Sequence, residues 1–345
     1  MIFMRNNGKI NSMDAIALSL LSQNGGNNMA VCTTINPQDS VCKAMEGWLY
    51  RFKKNSVKEA TFDRLVTSFN MMKHYSICYM RIADLTTGDV QGYINNLLSD
   101  GYAYTTIKKQ FNLITAFVKY LLGEGVPIRP VCLNIALPIA ETVKKPKKDI
   151  VTYNKLEQAR LHKAIDEDEE IASYAVLLML ENGLRSGEVL ALCWEDIDWD
   201  RRAVRIHRTL VHPASRKKGF IQEGAKSKTS NRTIPLNTRV MAAMEKLLSK
   251  VDSPTGLIFR SVKFPDKSIG YNALRNHIKH LCSKAQIEYR GMHVFRHTFA
   301  TNCYYKGCEI KKLSKLLGHA SVTITYNTYI HLYGDALEEL RSVVE

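Results

Sequence analysis

Three short blocks in the second half of this sequence carry residue types and spacings that could do chemistry. In Glu181-Asn-Gly-Leu-Arg-Ser-Gly-Glu188, Gly183 stops one helix and Arg185 stands where the next begins. A guanidinium there lies near fresh helix N-terminal amides, which suits an oxyanion such as phosphate. Glu188, one turn on, can hold that guanidinium in place. Alone, an Arg–Glu pair at this spacing is usually a surface salt bridge. His293-Val-Phe-Arg-His297 opens a helix on which His293 and Arg296 share one face, two phosphate donors side by side. A partly buried histidine beside a solvated arginine is the plainer reading of that fragment taken alone. Ile310–Gly318 is an amphipathic helix closed by its glycine, which delivers His319 on a turn and not on a helix face. Tyr329 follows ten residues later, with His331 just beyond it.

The elements that must position these blocks follow from periodicity. Residues 150–345 begin with a helix that Thr152 can cap, and then Ala172–Leu192 reads as two helices broken at Asn182-Gly183-Leu184-Arg185. Ala203–Val211 alternates and is β-branched, so it is expected to form one strand, with Arg232-Thr-Ile-Pro-Leu236 a shorter second one. From Arg201 to Arg232 the chain carries ten Lys/Arg against Glu223 alone. Thereafter the pattern is helical. Residues 38–140 form a separate helical unit, in which Trp48-Leu49-Phe52, Ile94-Leu97-Leu98 and Phe111-Ile114-Phe117-Val118-Leu121 recur at helical spacing. Thr86-Thr-Gly-Asp89 and Ser99-Asp-Gly101 supply a start and a stop between those helices. The basic, proline-broken stretch 141–149 reads as a linker, and the Asn- and Gly-rich residues 1–37 as a loosely ordered lead-in.

Bulk composition agrees with two domains in 345 residues and a core of ordinary size, given 45% hydrophobic residues. Forty-eight Lys+Arg against 33 Asp+Glu leave a net charge of +15, which favours a polyanionic partner. A basic enzyme with no nucleic-acid partner is equally compatible with charge alone. No apolar run reaches membrane-spanning length, and the eight cysteines include no C-x-x-C pair, as expected of reduced thiols in a cytoplasmic protein without a zinc site.

Taken together, G-L-R-x-G-E, H-x-x-R and L-G-H followed by T-Y-x-H resemble the tyrosine recombinase (phage integrase) family over the whole larger unit. The helical unit looks like that family's core-binding domain by pattern. The resemblance implies a mainly α fold: a helical core-binding domain and a mixed α/β catalytic domain with a small antiparallel sheet, together a C-shaped DNA clamp. It implies Tyr329 as nucleophile, leaving a 3′-phosphotyrosyl bond and a free 5′-hydroxyl. Arg185 and Arg296 are expected to hold the non-bridging oxygens, and His319 to donate to the same phosphate. His293 is expected to orient the phosphate and assist proton transfer near the tyrosine, and Glu188 to brace the first block. Integrases of this kind commonly place a lysine six residues before the arginine of R-x-I-P-L. That makes Lys226 the expected general acid for the 5′-oxygen, with Lys228 its competitor. Lys108, Lys109, Arg208, Lys217, Lys218, Lys228 and Arg232 are expected to meet DNA phosphates. Tyr326, one turn before Tyr329, is expected to be a packing residue. No metal, nucleotide or other cofactor is implied.

The implied partners are double-stranded DNA at specific recombination sites, a homotetramer of the chain on that DNA, and accessory DNA-bending or directionality proteins, with no membrane. An integrase of a mobile element is favoured over a chromosome-dimer resolvase, because resolvases tend to have a very short hairpin around their lysine. A type IB topoisomerase shares the chemistry, but the two-unit layout and a helix after Tyr329 argue against it. A non-catalytic DNA-binding relative is expected to have lost catalytic residues, and none is lost. Residues 1–37 look too short for the arm-site-binding module many integrases carry. After Gly334-Asp335, an apolar stripe of Ala336, Leu337, Leu340, Val343 and Val344 is expected to dock on a neighbouring subunit, or else on its own domain.

Overall fold

A computed structural model of the chain describes residues 35–139, 151–212, 219–224, 231–251 and 254–329. Most of the lead-in, the linker 141–149, Lys217, Lys218, Lys226, Lys228 and everything after Tyr329 lie outside the described residues. The described chain separates into two compact units, one on each side of residues 140–150.

The first unit is helical: α1 (Val41–Trp48), α2 (Glu59–Met72), α3 (Thr87–Ser99) and α4 (Tyr104–Gly123), with α1 running on through a π-helical turn at Leu49–Lys53. Thr86 starts α3 in a reciprocal cap. Its hydroxyl accepts from the Asp89 N–H at 3.2 Å, and the Asp89 carboxylate accepts from the Thr86 N–H at 2.9 Å. The α4 stripe is buried at Ile114, Phe117, Val118 and Leu121, and Trp48 packs its ring 5.5 Å from that of Phe117. Lys108 and Lys109 lie on the opposite, exposed side of α4.

The second unit is built around α6 (Ile171–Asn182), apolar on every side and buried from Ala172 to Leu180. A helix apolar all round belongs in the middle of a core. Packed against it are α5 (Lys155–Asp166), α8 (Thr238–Leu248), α9 (Gly270–Lys284) and α10 (Met292–Tyr305). Asn154 caps α5, not the expected Thr152. Its side chain accepts from the Glu157 N–H at 2.9 Å, and Glu157 accepts from the Asn154 N–H at 2.8 Å. The short helix α7 (Ser186–Val189) follows α6, and α11 (Ile310–Leu317) and α12 (Val322–Tyr329) close the described chain.

Two small antiparallel sheets complete the unit. One has the order β1 (Ile197–Asp198), β2 (Ala203–Ile206), β5 (Arg232–Pro235), with Val204 opposite Ile234 and Ile206 opposite Arg232. The other is the hairpin β3 (Arg208–Val211) with β4 (Phe220–Glu223). The single strand expected over 203–211 is therefore two strands in two sheets, broken at His207. The buried carboxylate of Asp196 explains the break. His207 Nε2 lies 2.8 Å from its Oδ1, and Arg208 donates to its Oδ2 at 2.7 Å. Successive side chains of a regular strand point to opposite faces, so two neighbours reaching one carboxylate require the chain to bend. The same pair engages Arg208, expected to meet DNA phosphates, with a carboxylate whose side chain is 5% exposed.

Candidate active site

The first block folds as its glycine dictates. Gly183 ends α6 in the left-handed region at φ +63°, and a Cβ there would lie 2.3 Å from the Phe299 ring. Only glycine meets both demands. The chain turns back, and Arg185 stands immediately before α7. Its backbone N–H donates to Glu188 Oε2 at 2.9 Å, and its Nη1 donates to Glu188 Oε1 at 2.8 Å. The Arg185–Glu188 pair is therefore no surface bridge, because the carboxylate side chain is only 6% exposed.

A second arginine shares that carboxylate. Arg232, the first residue of β5, donates through Nη1 to Glu188 Oε1 at 3.0 Å and through Nη2 to Oε2 at 2.9 Å, a two-pronged pairing. Arg232 was expected on DNA phosphates; the structure places it inside the site, 7% exposed. A signal for this was present in the sequence. Strand side chains alternate, so Arg232 shares the face of Ile234, which is buried.

The end of α11 gathers these groups. Helix ends leave carbonyls without partners inside the helix, and the helix dipole makes that end negative. Here three successive carbonyls each accept from a different arginine. Leu316 takes Arg232 Nε at 2.7 Å, Leu317 takes Arg296 Nη2, and Gly318 takes Arg185 Nη2 at 3.3 Å. Arg296 also donates through Nη1 to the Gly183 carbonyl at 2.8 Å, tying the first block to the last. Gly318 stands at φ +62°, and a Cβ there would lie 2.9 Å from Arg232 Nη1.

The turn at Gly318 delivers His319, whose Nδ1 lies 2.8 Å from the hydroxyl of fully buried Thr325. Tyr329 ends α12 with its ring packed against Ala300, Leu313 and Leu317. Its hydroxyl is 2.9 Å from Nδ1 of His297, a residue the sequence reasoning passed over. His297 lies four residues after His293, one helical turn along α10, and nothing in that spacing signals a contact with α12. Tyr326 is 46% exposed against 3% for Tyr329, which corrects the expectation that Tyr326 is the packing residue of the two. His293 stands exposed near the start of α10.

Electrostatics follow from this crowding of cations. Burial opposes ionisation of Glu188, yet the hydrogen bonds and charge of Arg232, with Arg185 behind them, bring its carboxyl down to about 2. Burial and then Arg185 lower Arg296 to about 9, which leaves it charged at neutral pH. Burial, then Arg296, Arg185 and Arg232, push His319 down to about 4. Desolvation and then Arg296 and Arg185 lower His293 as well. Burial raises the Tyr329 phenol to about 12, with Arg296 pulling the other way. Without DNA the site is thus a cluster of guanidinium groups, neutral imidazoles and a protonated phenol. Such a cluster is complementary to an anion with several oxygens.

Comparison with known proteins places this arrangement. Residues 152–335, more than half of the chain, match the phage integrase family, and the chain belongs to that family. It is similar to a XerC-like tyrosine recombinase of Caldanaerobacter subterraneus subsp. tengcongensis, 28% identical over 309 residues, 84% of this chain and 78% of the relative. It is similar to the integrase of Staphylococcus phage L54a, 23% identical over 328 residues, 87% of this chain and 91% of the relative. In fold it resembles the Tn1549 transposon integrase in complex with transposon right end DNA, with a TM-score of 0.72 at 18% identity. That likeness covers 89% of this chain and all of that one. The chain is a tyrosine recombinase/integrase, mainly α with small antiparallel sheets.

Proposed function

We propose that this chain is a site-specific recombinase that cuts and rejoins DNA strands through Tyr329, to integrate or excise a mobile element. The observation that carries the reading is the convergence of Arg185, Arg232 and Arg296 on three successive carbonyls, one residue before His319. Electrostatic proximity of Arg296 to the Tyr329 phenol joins the nucleophile to that cluster. The Tyr329 oxygen attacks the scissile phosphorus and the bond to the 5′-oxygen breaks, with Lys226 giving that oxygen its proton. The phosphotyrosine retains the energy of the broken ester, so a 5′-hydroxyl from another strand can reverse the step. Arg185 and Arg296 meet the growing charge on the non-bridging oxygens, joined by His319 as a neutral hydrogen-bond donor. His293 orients the phosphate. Glu188 and Arg232 hold the guanidinium array rigid, which lowers the reorganisation needed at the transition state.

In this reading the helical unit 38–140 binds the core DNA site, the linker 141–149 joins it to the catalytic unit 150–345, and four copies act on two duplexes, with accessory DNA-bending or directionality proteins. Lys108 and Lys109 contribute backbone contacts from the exposed side of α4, as do Lys217, Lys218 and Lys228 from the basic stretch. A chromosome-dimer resolvase is the second reading, favoured by the XerC-like relative; the long basic connection before Lys226 favours the integrase. A suicide substrate nicked beside the cleavage site tests the chemistry. Wild type and Tyr326→Phe should form a covalent protein–DNA adduct, and Tyr329→Phe should bind DNA equally but form none. Adduct formation by Tyr329→Phe and none by Tyr326→Phe would overturn the assignment.

A further inference from the structure

We infer that His297 is the base that takes the proton from Tyr329 during strand cleavage and returns it on rejoining. The inference rests on the reading of Tyr329 as nucleophile. His297 Nδ1 lies 2.9 Å from the phenolic oxygen, with the two rings 5.7 Å apart and inclined at 61°, edge to face. In the Nε2–H tautomer Nδ1 is an acceptor, so the phenol donates to it. The contact joins α10 to α12 across 32 residues of sequence, and the tyrosine is held by packing. His297 is half-buried, next to buried Arg296 in the chain, and Tyr329 sits in the cluster of Ala300, Leu313 and Leu317.

The chemistry needs such an acceptor. Burial carries the phenol to about 12, so only about one molecule in 10⁵ would hold a free phenolate at pH 7. Attack without prior ionisation requires a base within hydrogen-bond reach of the oxygen, and His297 is the imidazole that reaches it. His293, expected from the family resemblance to help at this step, is exposed near the start of α10, one turn away. The step balances as follows. The O–H proton passes to Nδ1, the oxygen lone pair forms the bond to phosphorus, and the 5′-oxygen leaves with a proton from the general acid. On rejoining, the imidazolium of His297 protonates the departing tyrosine.

The neighbouring charges make this base conditional on substrate. Facing His297 are Tyr329 on α12 and His319 after α11, with Arg296 on its own helix, while Cys303 adds a thiol near the phenol. Arg296, and Arg185 and Arg232 beyond His319, oppose any new positive charge here. A phosphate seated among the guanidinium groups offsets that opposition. A phosphate in the site and a proton on His297 therefore favour one another, which ties activation of the tyrosine to bound DNA.

The test is adduct formation on the nicked suicide substrate across pH 5.5–9 for wild type, His297→Gln and His297→Asn, with DNA binding by gel shift alongside. Glutamine and asparagine keep hydrogen-bonding capacity but hold no proton. Both should bind DNA like wild type, cleave about 10²–10⁴-fold more slowly, and lack the acid-side fall in rate expected of wild type. Rejoining of a preformed adduct by a 5′-hydroxyl strand should slow in parallel. Cleavage within about threefold of wild type, or an unchanged acid limb, would overturn the proposal and leave His297 a packing partner. Should both variants fail to bind DNA, fluorotyrosine at position 329 in the otherwise wild-type protein decides. With His297 as base, the acid limb stays in place. Free ionisation of the phenol would slide the whole profile down by the drop in phenol pKa. Loss of the adduct in Tyr329→Phe keeps the underlying reading intact whichever way His297 falls.

Discussion

Replacing Glu188 by glutamine removes one charge while nearly preserving shape, and its consequences can be worked from the contacts. The carboxylate accepts from both Nη atoms of Arg232, from Nη1 of Arg185 and from the Arg185 N–H. A carboxyl held near 2 in place of its ordinary 4.5 contributes about 3 kcal/mol at neutral pH. Removing one member of a buried ion pair costs about 3–5 kcal/mol, because the partner charge stays buried. The two routes agree, so Glu188→Gln should lose about 3–5 kcal/mol. At about 2–4 °C per kcal/mol for a unit of this size, its melting temperature should fall by about 6–20 °C. The sign with pH follows from the lowered folded value: the stabilisation is complete above 4.5 and fades as pH drops toward 2. Calorimetric melts from pH 7 down to pH 3 should therefore show the gap between wild type and variant narrowing. Sulfate should raise the variant's melting temperature more than the wild type's, by supplying the two guanidinium groups with another anion. A variant melting within about 1 °C of wild type at pH 7, with no sulfate response, would refute the idea that Glu188 neutralises this cluster.

Other outcomes follow from the same geometry. Gly318→Ala should cost about 1–2 kcal/mol for a left-handed alanine and displace Arg232, so adduct formation should slow at least tenfold; an unchanged rate would mean that Arg232 does not organise the site. DNA binding below pH 6.5 should take up a proton at His319, because an arriving phosphate offsets the arginines that, together with burial as the larger cause, hold its imidazole near 4. Titration calorimetry in two buffers of different ionisation enthalpy measures that uptake, which should vanish in His319→Gln and would be absent altogether if the arginines were not its cause. Lys108→Ala with Lys109→Ala should weaken binding of any duplex and reduce the slope of log affinity against log salt by about 1–2. An unaltered slope would remove α4 from the DNA-facing surface.

How much of this was legible in the sequence depended on the range of the interaction. Gly183 and Gly318 announced their turns because a left-handed residue at a helix end is a local requirement. The burial of the α4 stripe and the Arg185–Glu188 contact were readable for the same reason: each joins residues one or two turns apart. The break at His207 was hinted at only by Arg208 standing on the apolar face of Val204, Ile206 and Leu210, and its cause, Asp196, lies eleven residues upstream of the histidine it binds. His297 was hidden more deeply. Nothing in the spacing of α10 reveals that its second histidine will meet the end of α12, since that depends on how two helices pack around Leu313 and Leu317.

The row of carbonyls at the end of α11 explains why such distant blocks must occur together. Arg185, Arg232 and Arg296 come from a helix start, a strand and a helix interior, and side chains so charged would repel one another in a shared pocket. One carboxylate, Glu188, sits within hydrogen-bond reach of two of them, yet all three also rest on the negative end of one helix. The helix must stop where its last carbonyls face those guanidinium groups, and that is what Gly318 does. The next residue is then carried to the edge of the same pocket. His319 follows the glycine because the turn that frees the carbonyls also delivers the imidazole. A longer α11 would engage those carbonyls in its own hydrogen bonds and withhold His319 from the site.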